Sequence, residues 1–226
     1  ALQRFSESRN SRKIYEFNLN TRDEKLNILS LNLDLIKKIN QSSDLTYGLE
    51  FIDNKVNSFG TSTDINDFTT TEIASRYPNN SSLKSFGGYF NYKNTIIDDV
   101  FFQSGVRYSF TKLQADLSYN NIYYDFPFQN TTLENSAFVG GVGLSWVRST
   151  YNNWKFNINT AFRSPNIDDL AKVFDSEPGT VIVPNPDLKP ERSLGVEFGG
   201  YIRTKNNIEF DFSSYLTYLY NSLVRD

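Results

Sequence analysis

The sequence predicts an all-β protein, an antiparallel transmembrane β-barrel to which this chain contributes about nine strands. Three observations lead to this prediction. Apolar and polar residues alternate with a period of two along most of the chain, and the connections between these segments alternate between short and long. Aromatic residues make up 15% of the sequence although hydrophobic residues reach only 38%. This combination suits a wall that is apolar on one face and wet on the other.

Period-two alternation is clearest in residues 154–162, where Trp154, Phe156 and Ile158 share one face and a lysine and two asparagines occupy the other. Apolar runs such as 100–102 are far too short for a membrane helix, whereas a barrel strand crosses a bilayer with about ten alternating residues. Similar segments predict strands that begin near Lys13, Leu26, Leu45, Leu83, Asp99, Ser136, Trp154, Ser193 and Ile208.

The connections between the predicted strands fall into two classes. Short links are predicted at 40–43, 94–98, 148–153 and 205–207. Long polar or proline-bearing links are predicted at 58–82, 114–135 and 164–190, and a first hairpin around 22–25 is short where a long one is due. In bacterial outer-membrane barrels the short turns face the periplasm and the long loops face outside, so we expect long extracellular loops.

Aromatic residues near predicted strand ends are typical of the girdles that lie at the two membrane interfaces. The residues concerned are Tyr15, Phe17, Tyr92, Trp154, Tyr218 and Tyr220. Alternation by itself would also fit a soluble antiparallel sheet with one wet face. The one-sided long loops and these aromatic residues favour the membrane.

The composition excludes several classes of site. The chain has no Cys and no His, which excludes disulfides, zinc sites built on those ligands, and Ser-His or Cys-His catalytic pairs. We therefore predict no catalytic residue, no bound metal and no cofactor, and we do not expect an enzyme. The formal net charge of −3, without a dense basic cluster, argues against a nucleic-acid partner.

Two motifs stand on either side of the last long loop. Residues 161–170 read Ala-Phe-Arg-Ser-Pro-Asn-Ile-Asp-Asp-Leu, and residues 183–193 read Val-Pro-Asn-Pro-Asp-Leu-Lys-Pro-Glu-Arg-Ser. This pair resembles the TonB-dependent receptors, in which a strand ends in Phe-Arg-Ala-Pro and Asn-Pro-Asp-Leu-Lys-Pro-Glu leads into the next strand. Ser164 stands here where Ala is commoner.

The resemblance implies a location in the bacterial outer membrane, with lipid around the barrel. It also implies that residues 1–226 are one segment of a barrel of about 22 strands, with the plug domain and the C-terminal strands absent from this chain. The TonB complex would act through the missing N-terminal part, and the other expected partner is a small-molecule ligand such as haem or a siderophore.

The last long loop holds the residues most suited to face a ligand. These ligand-binding candidates are Arg163, Asn166, Asp168, Asp169 and Asn185. The alternative is that they only shape the loop and its return into the wall, as prolines 184, 186 and 190 do by restricting the backbone.

The resemblance is nearest to the haem and haemoglobin receptors, in which a loop His is expected to take the haem. The loop 164–184 offers Asp168, Asp169, Asp175 and Glu177 instead, without the spacing of a dedicated calcium site. Tyrosine can also ligate haem iron, and the tyrosines in predicted outer loops are Tyr77, Tyr123 and Tyr124.

Three functions remain open on the sequence. The first is a receptor that imports a scarce nutrient in a TonB-dependent way, with an iron compound favoured. The second is a passive porin-like barrel or an adhesin. The third is a soluble β-sheet binding protein, which would have to cover its apolar face with a second layer.

Overall fold

The computed structural model describes residues 1–171, 175–177, 180–181 and 185–223, and the side chains of these residues except within 171–184. It confirms the all-β prediction. The strands are β1 (Leu2–Ser11), β2 (Asn18–Lys38), β3 (Ser43–Asp64), β4 (Thr70–Ile73), β5 (Ser81–Ile97), β6 (Val100–Asp116), β7 (Asn130–Ser149), β8 (Asn152–Arg163), β9 (Asp175–Glu177), β10 (Thr180–Val181), β11 (Glu191–Arg203) and β12 (Glu209–Tyr220). A helix, α1 (Ile167–Ala171), and a 3-10 turn (Asn120–Ile122) complete the assigned elements.

Nine of these strands form one antiparallel wall in the order β1-β2-β3-β5-β6-β7-β8-β11-β12, with the short β4 paired to β3. Each strand of the wall pairs with the next wall strand along the sequence, as in an up-and-down barrel. The pair β9–β10 forms a separate two-stranded sheet within the last long loop.

The register gives the wall one apolar face. Directly paired residues on that face include Leu33 with Leu49 and Tyr108 with Phe138, and the large apolar side chains there stay 39–75% exposed over most of the wall. No second sheet covers this face in the part of the chain that the structure describes. Such a surface is far larger than a soluble monomer tolerates, which argues against the soluble binding protein.

The first hairpin was placed wrongly by the sequence pattern. The strand expected to begin near Lys13 is absent, because β1 ends at Ser11 and the turn occupies 12–17, where Tyr15 has a φ of 69°. Residues 22–25, predicted as a short link, lie inside the continuous strand β2. Tyr15 and Phe17 therefore belong to this turn and not to a strand end. The strands β1 and β2 carry mainly polar residues here, so alternation gave no signal.

The links divide between the two ends of the wall. The links 39–42, 98–99, 150–151 and 204–208 lie at one end, and the links 12–17, 65–80, 117–129 and 164–190 lie at the other. The corrected first hairpin lies at the long-loop end, but its link 12–17 is still the shortest there, so it remains the exception. The alternation of link lengths is confirmed for the other links.

The strands are longer than a bilayer requires. Strands β2 and β3 have 21 and 22 residues, or about 70 Å at about 3.3 Å per residue, whereas the apolar band of an outer-membrane barrel is about 25 Å tall. The buried hydrophobic side chains lie at the long-loop end, where Leu113 and Ala115 of β6 pack with Ile167 and Leu170 of α1. No helix within the described ranges is long and apolar enough to span a bilayer.

Candidate functional site

The helix α1 after β8 is fixed by its own first turn. The backbone N–H of Asp169 donates to Asn166 Oδ1 at 2.9 Å, and the N–H of Asn166 donates to Asp169 Oδ2 at 3.0 Å. This is the reciprocal arrangement of a capping box, in which each side chain satisfies an N–H that the helix leaves unpaired. The spacing Asn-x-x-Asp after Pro165 therefore determines where the loop turns.

Arg163 joins the two sequence motifs. Its guanidinium donates to Asp169 Oδ2 at 2.7 Å and to Glu191 Oε2 at 2.8 Å, which ties the end of β8 to the start of β11. The second oxygen of Glu191 accepts the N–H of Leu223 at 2.8 Å. The hydrogen bonds from the Arg163 guanidinium to these two carboxylates are charge-assisted, and they hold this rim of the wall in place.

Tyr77, in the link 65–80, reaches the same loop. Its hydroxyl donates to Asp168 Oδ1 at 2.7 Å, and the guanidinium of Arg76 lies 5.3 Å from the centre of its ring. Burial, with the hydrogen bond to Asp168, raises the pKa of Tyr77 well above its usual value. Tyr77 is therefore a neutral hydrogen-bond donor at physiological pH, and it ties the first long loop to α1.

Buried polar contacts fasten the remaining loops. Asn120 is fully buried, donates from Nδ2 to the Ser75 carbonyl at 3.1 Å, and accepts from the Ser75 hydroxyl at 2.8 Å. The hydroxyl of Ser164 lies 2.7 Å from that of Thr111 and accepts from Asn135 Nδ2 at 3.2 Å. The links 65–80, 117–129 and 164–171 therefore form one layer, which we call the loop layer.

A cavity of about 480 Å³ lies between the loop layer and the non-lipid face of β1, β2, β3 and β5. We call it the outer cavity. Its apolar lining includes Leu26, Val56, Leu83 and Ile167, and its polar lining includes Glu7, Arg9, Glu24, Asn54, Arg76, Tyr77 and Asp168. It has the size and the mixed lining of small-molecule sites in proteins.

The inner face further down the wall is polar. A second cavity of about 660 Å³ has Asp34, Glu50, Tyr89 and Arg107 among its lining residues. Arg107 forms an ion pair with Glu50, and the Tyr89 hydroxyl donates to Asp34. This face suits water or polar groups inside a barrel.

The structure brings four of the five predicted ligand-binding residues together. Arg163, Asn166, Asp168 and Asp169 all belong to the network around α1, whereas Asn185 accepts the Asp187 N–H at 2.9 Å in a separate turn. These contacts give each residue a structural role, and their role toward a ligand stays a prediction. Residues 183 and 184 of the second motif, and the side chains of Asp175 and Glu177, lie outside the described part.

The tyrosines named as haem-ligand candidates all have neighbours. Besides Tyr77, Tyr123 lies edge-on to Tyr119 at 5.6 Å between ring centres, and Tyr124 lies 5.7 Å from Phe126. Within the described residues, no three acidic side chains converge in a way that could hold a metal ion.

Sequence reasoning missed the residues that line the outer cavity from the wall. Glu24 and Arg76 lie in segments that the sequence predicts as a turn and a loop. Ser75 and Asn120 belong to no motif that would indicate a site. Glu191 was recognised only as the start of a strand. Its match to the family's Lys-Pro-Glu, opposite an arginine in the other motif, was the signal that could have identified the ion pair.

Comparison with known proteins gives one family. The family described as "TonB dependent receptor-like, beta-barrel" matches residues 2–226. No curated protein sequence matches the chain.

Solved structures of low sequence identity share the fold. The copper transporter OprC is 14% identical, with a TM-score of 0.72 over 89% of this chain and 30% of its own length. The ferric yersiniabactin uptake receptor FyuA from Yersinia pestis is 15% identical, with a TM-score of 0.62 over 96% of this chain and 32% of its own length.

The Serratia marcescens hemophore receptor HasR, solved as a double mutant with its hemophore HasA and heme, is 12% identical. Its TM-score is 0.64 over 89% of this chain and 34% of its own length. The chain thus spans about a third of the length of each of these three structures.

Proposed function

This chain belongs to the TonB-dependent receptor-like β-barrel family, and on that premise we propose that it is the barrel segment of a receptor that imports a scarce nutrient across the bacterial outer membrane. Import would depend on the TonB complex, acting through a part of the protein outside this chain. The observation that carries the proposal is the two-faced wall, apolar outside and polar inside, closed at one end by a fastened loop layer.

The loop layer supports binding on the outer side. Long loops face outside in outer-membrane barrels, so the outer cavity would be open to ligand from the medium. Asn166 and Asp168 line this cavity, and Arg163 is bonded to Asp169 of α1. We propose that all four residues contribute to the ligand surface together with Asn185. Their mutual bonds would hold that surface in a preformed shape, which lowers the entropic cost of binding.

An iron compound is the favoured nutrient. Of the three structural neighbours named above, FyuA is a ferric yersiniabactin uptake receptor, HasR was solved with heme, and OprC is a copper transporter. The pair of motifs also resembles the haem receptor subgroup. The chain offers no histidine for haem, so a ferric chelate held through its organic part is the form that fits best.

Uptake of radioactive iron tests this proposal. The natural bacterium, starved of iron, is supplied with haem or with a panel of ferric siderophores, and uptake is compared after deletion of the gene for this protein and after deletion of the gene for TonB. We expect both deletions to abolish uptake of the same compound. Uptake that survives the loss of TonB would indicate a passive barrel, and a barrel without effect on any nutrient would favour an adhesin.

A further inference from the structure

The outer cavity holds a carboxylate, that of Glu24, without a hydrogen-bond partner among the described residues. Both oxygens of Glu24 are shielded from solvent, and neither has a hydrogen-bond partner in the described part of the chain. A buried carboxylate without a partner is costly, so a site that retains one is suited to a group that supplies the missing donors.

The neighbours of Glu24 do not supply those donors. The register places Glu7 directly opposite Glu24, and Arg9 donates to Glu7 at 2.6 Å and not to Glu24. Arg22, two residues before Glu24 on the same strand, lies 3.5 Å from the Ala74 carbonyl oxygen. The adjacent carboxylates of Glu7 and Glu24 share one bonded arginine, Arg9, which donates to Glu7. This arrangement favours a further cationic group beside Glu24.

Two further groups in the same cavity also lack hydrogen-bond partners. Asn54 Oδ1 is a shielded acceptor and Arg76 Nε is a shielded donor, and neither is hydrogen-bonded among the described residues. Around them lie the apolar side chains of Leu26, Val56 and Leu83. The lining is therefore complementary to a ligand with an apolar body, N–H donors on one side and an acceptor on the other.

We propose that the outer cavity binds an amphipathic amine, with its ammonium group on Glu24 and its apolar body against Leu26, Val56, Leu83 and Ile167. This inference deepens the proposed function and rests on it, because it takes the cavity to face ligand from outside. An anionic group is disfavoured at Glu24, since Glu7 and Glu24 would repel it. Arg9, Lys25 and Arg76 also line the cavity, so the preference for an ammonium group is local to Glu24. An organic cation is favoured over a bare metal ion because apolar atoms make up most of the exposed surface of the cavity, although polar residues outnumber apolar ones in its lining.

The test uses the complete natural polypeptide, purified from outer membranes in detergent, and dansylcadaverine as the probe. This probe has an aromatic body that fluoresces more strongly in apolar surroundings, and it carries a primary ammonium group. Its N-acetylated form keeps the body but is neutral. We expect the amine to bind at least about tenfold more tightly than the acetylated form, which corresponds to one charge-assisted hydrogen bond.

Two variants locate that preference. Glu24→Gln keeps the shape and removes the charge, so we expect it to abolish the preference for the amine. Glu197→Gln makes the same change on the polar inner face outside the outer cavity, and we expect it to leave the preference intact. The proposal is overturned if wild type binds both forms equally or binds neither, or if Glu24→Gln retains the preference.

These outcomes are independent of transport. If the protein prefers the amine through Glu24 but its deletion affects no uptake, the proposed import function is overturned and the amine site stands. If uptake depends on TonB but the protein shows no preference for the amine, the amine site is overturned and the import function stands. The comparison of the two probes on the wild-type protein needs no variant. It therefore tests whether the cavity prefers an amine even if Glu24→Gln does not fold.

Discussion

At the scale of single residues, the loop layer depends on a few polar side chains that are satisfied by other loops. Asn120 and Ser75 exchange two hydrogen bonds across 45 positions of sequence, and both are buried. Buried polar groups of this kind stabilise a structure only while both partners are present, because removing one leaves the other desolvated and unpaired.

We predict that Asn120→Ala destabilises the loop layer by about 1–3 kcal/mol, the usual effect of leaving buried partners unsatisfied. Amide hydrogen exchange of the protein in detergent should show faster exchange in 65–80 and 117–129, with the strands below unchanged. Asn66→Ala, at an exposed position of the link 65–80, serves as the control. Equal effects of the two substitutions would show that Asn120 does not fasten these loops.

At the scale of strands, the Thr160 side chain replaces backbone hydrogen bonds between β7 and β8. The pairing of β7 with β8 begins at Gly141 and runs to Ser149. One position nearer the loops, the Thr160 hydroxyl accepts the Gly140 N–H at 2.9 Å and donates to the Gly140 carbonyl at 3.2 Å. Thr160 lies on the lipid-facing side, where unpaired backbone groups find no water.

We predict that Thr160→Val, which keeps the shape and removes the hydroxyl, lowers the free energy of unfolding by about 1–3 kcal/mol. Urea unfolding in detergent micelles, followed by the gel mobility of the folded barrel, measures this effect. Thr46→Val on the polar inner face is the matched control and should cost less. A neutral Thr160→Val would mean that the two Gly140 groups find other partners.

At the scale of the whole molecule, the side of the wall decides what a substitution does. Val142 is 51% exposed and lies on the apolar face, and Val139 of the same strand lies on the opposite face because the two are an odd number of positions apart. The two residues have the same side chain, so they compare the two environments directly.

We predict that Val142→Lys destabilises the protein by about 2–4 kcal/mol and lowers the amount of folded barrel in outer membranes, because lysine is costly near the middle of a lipid-facing band. Val139→Lys should cost less, at most about 1 kcal/mol from repulsion by Arg107 directly opposite it, since it would face the polar interior. Quantifying heat-resistant folded barrel in membrane fractions compares them. If the two variants behave alike, the assignment of the faces is wrong.

The sequence by itself determined the sheet, its faces and the division of the links, because alternation and turn composition are local properties that a barrel strand carries wherever it lies in lipid. It failed at the first hairpin, where β1 and β2 extend beyond the apolar band and no longer need to alternate.

Only the tertiary structure decided which residues meet at the loop end. The partners Tyr77 and Asp168 are 91 positions apart, and Glu24 and Arg76 come to one cavity from β2 and a distant loop. Local sequence patterns do not predict such contacts, because the contacts form when the long loops fold back over the wall. The motifs indicated where a site could lie, and packing of the loops determined its shape and left the Glu24 carboxylate without a hydrogen-bond partner among the described residues.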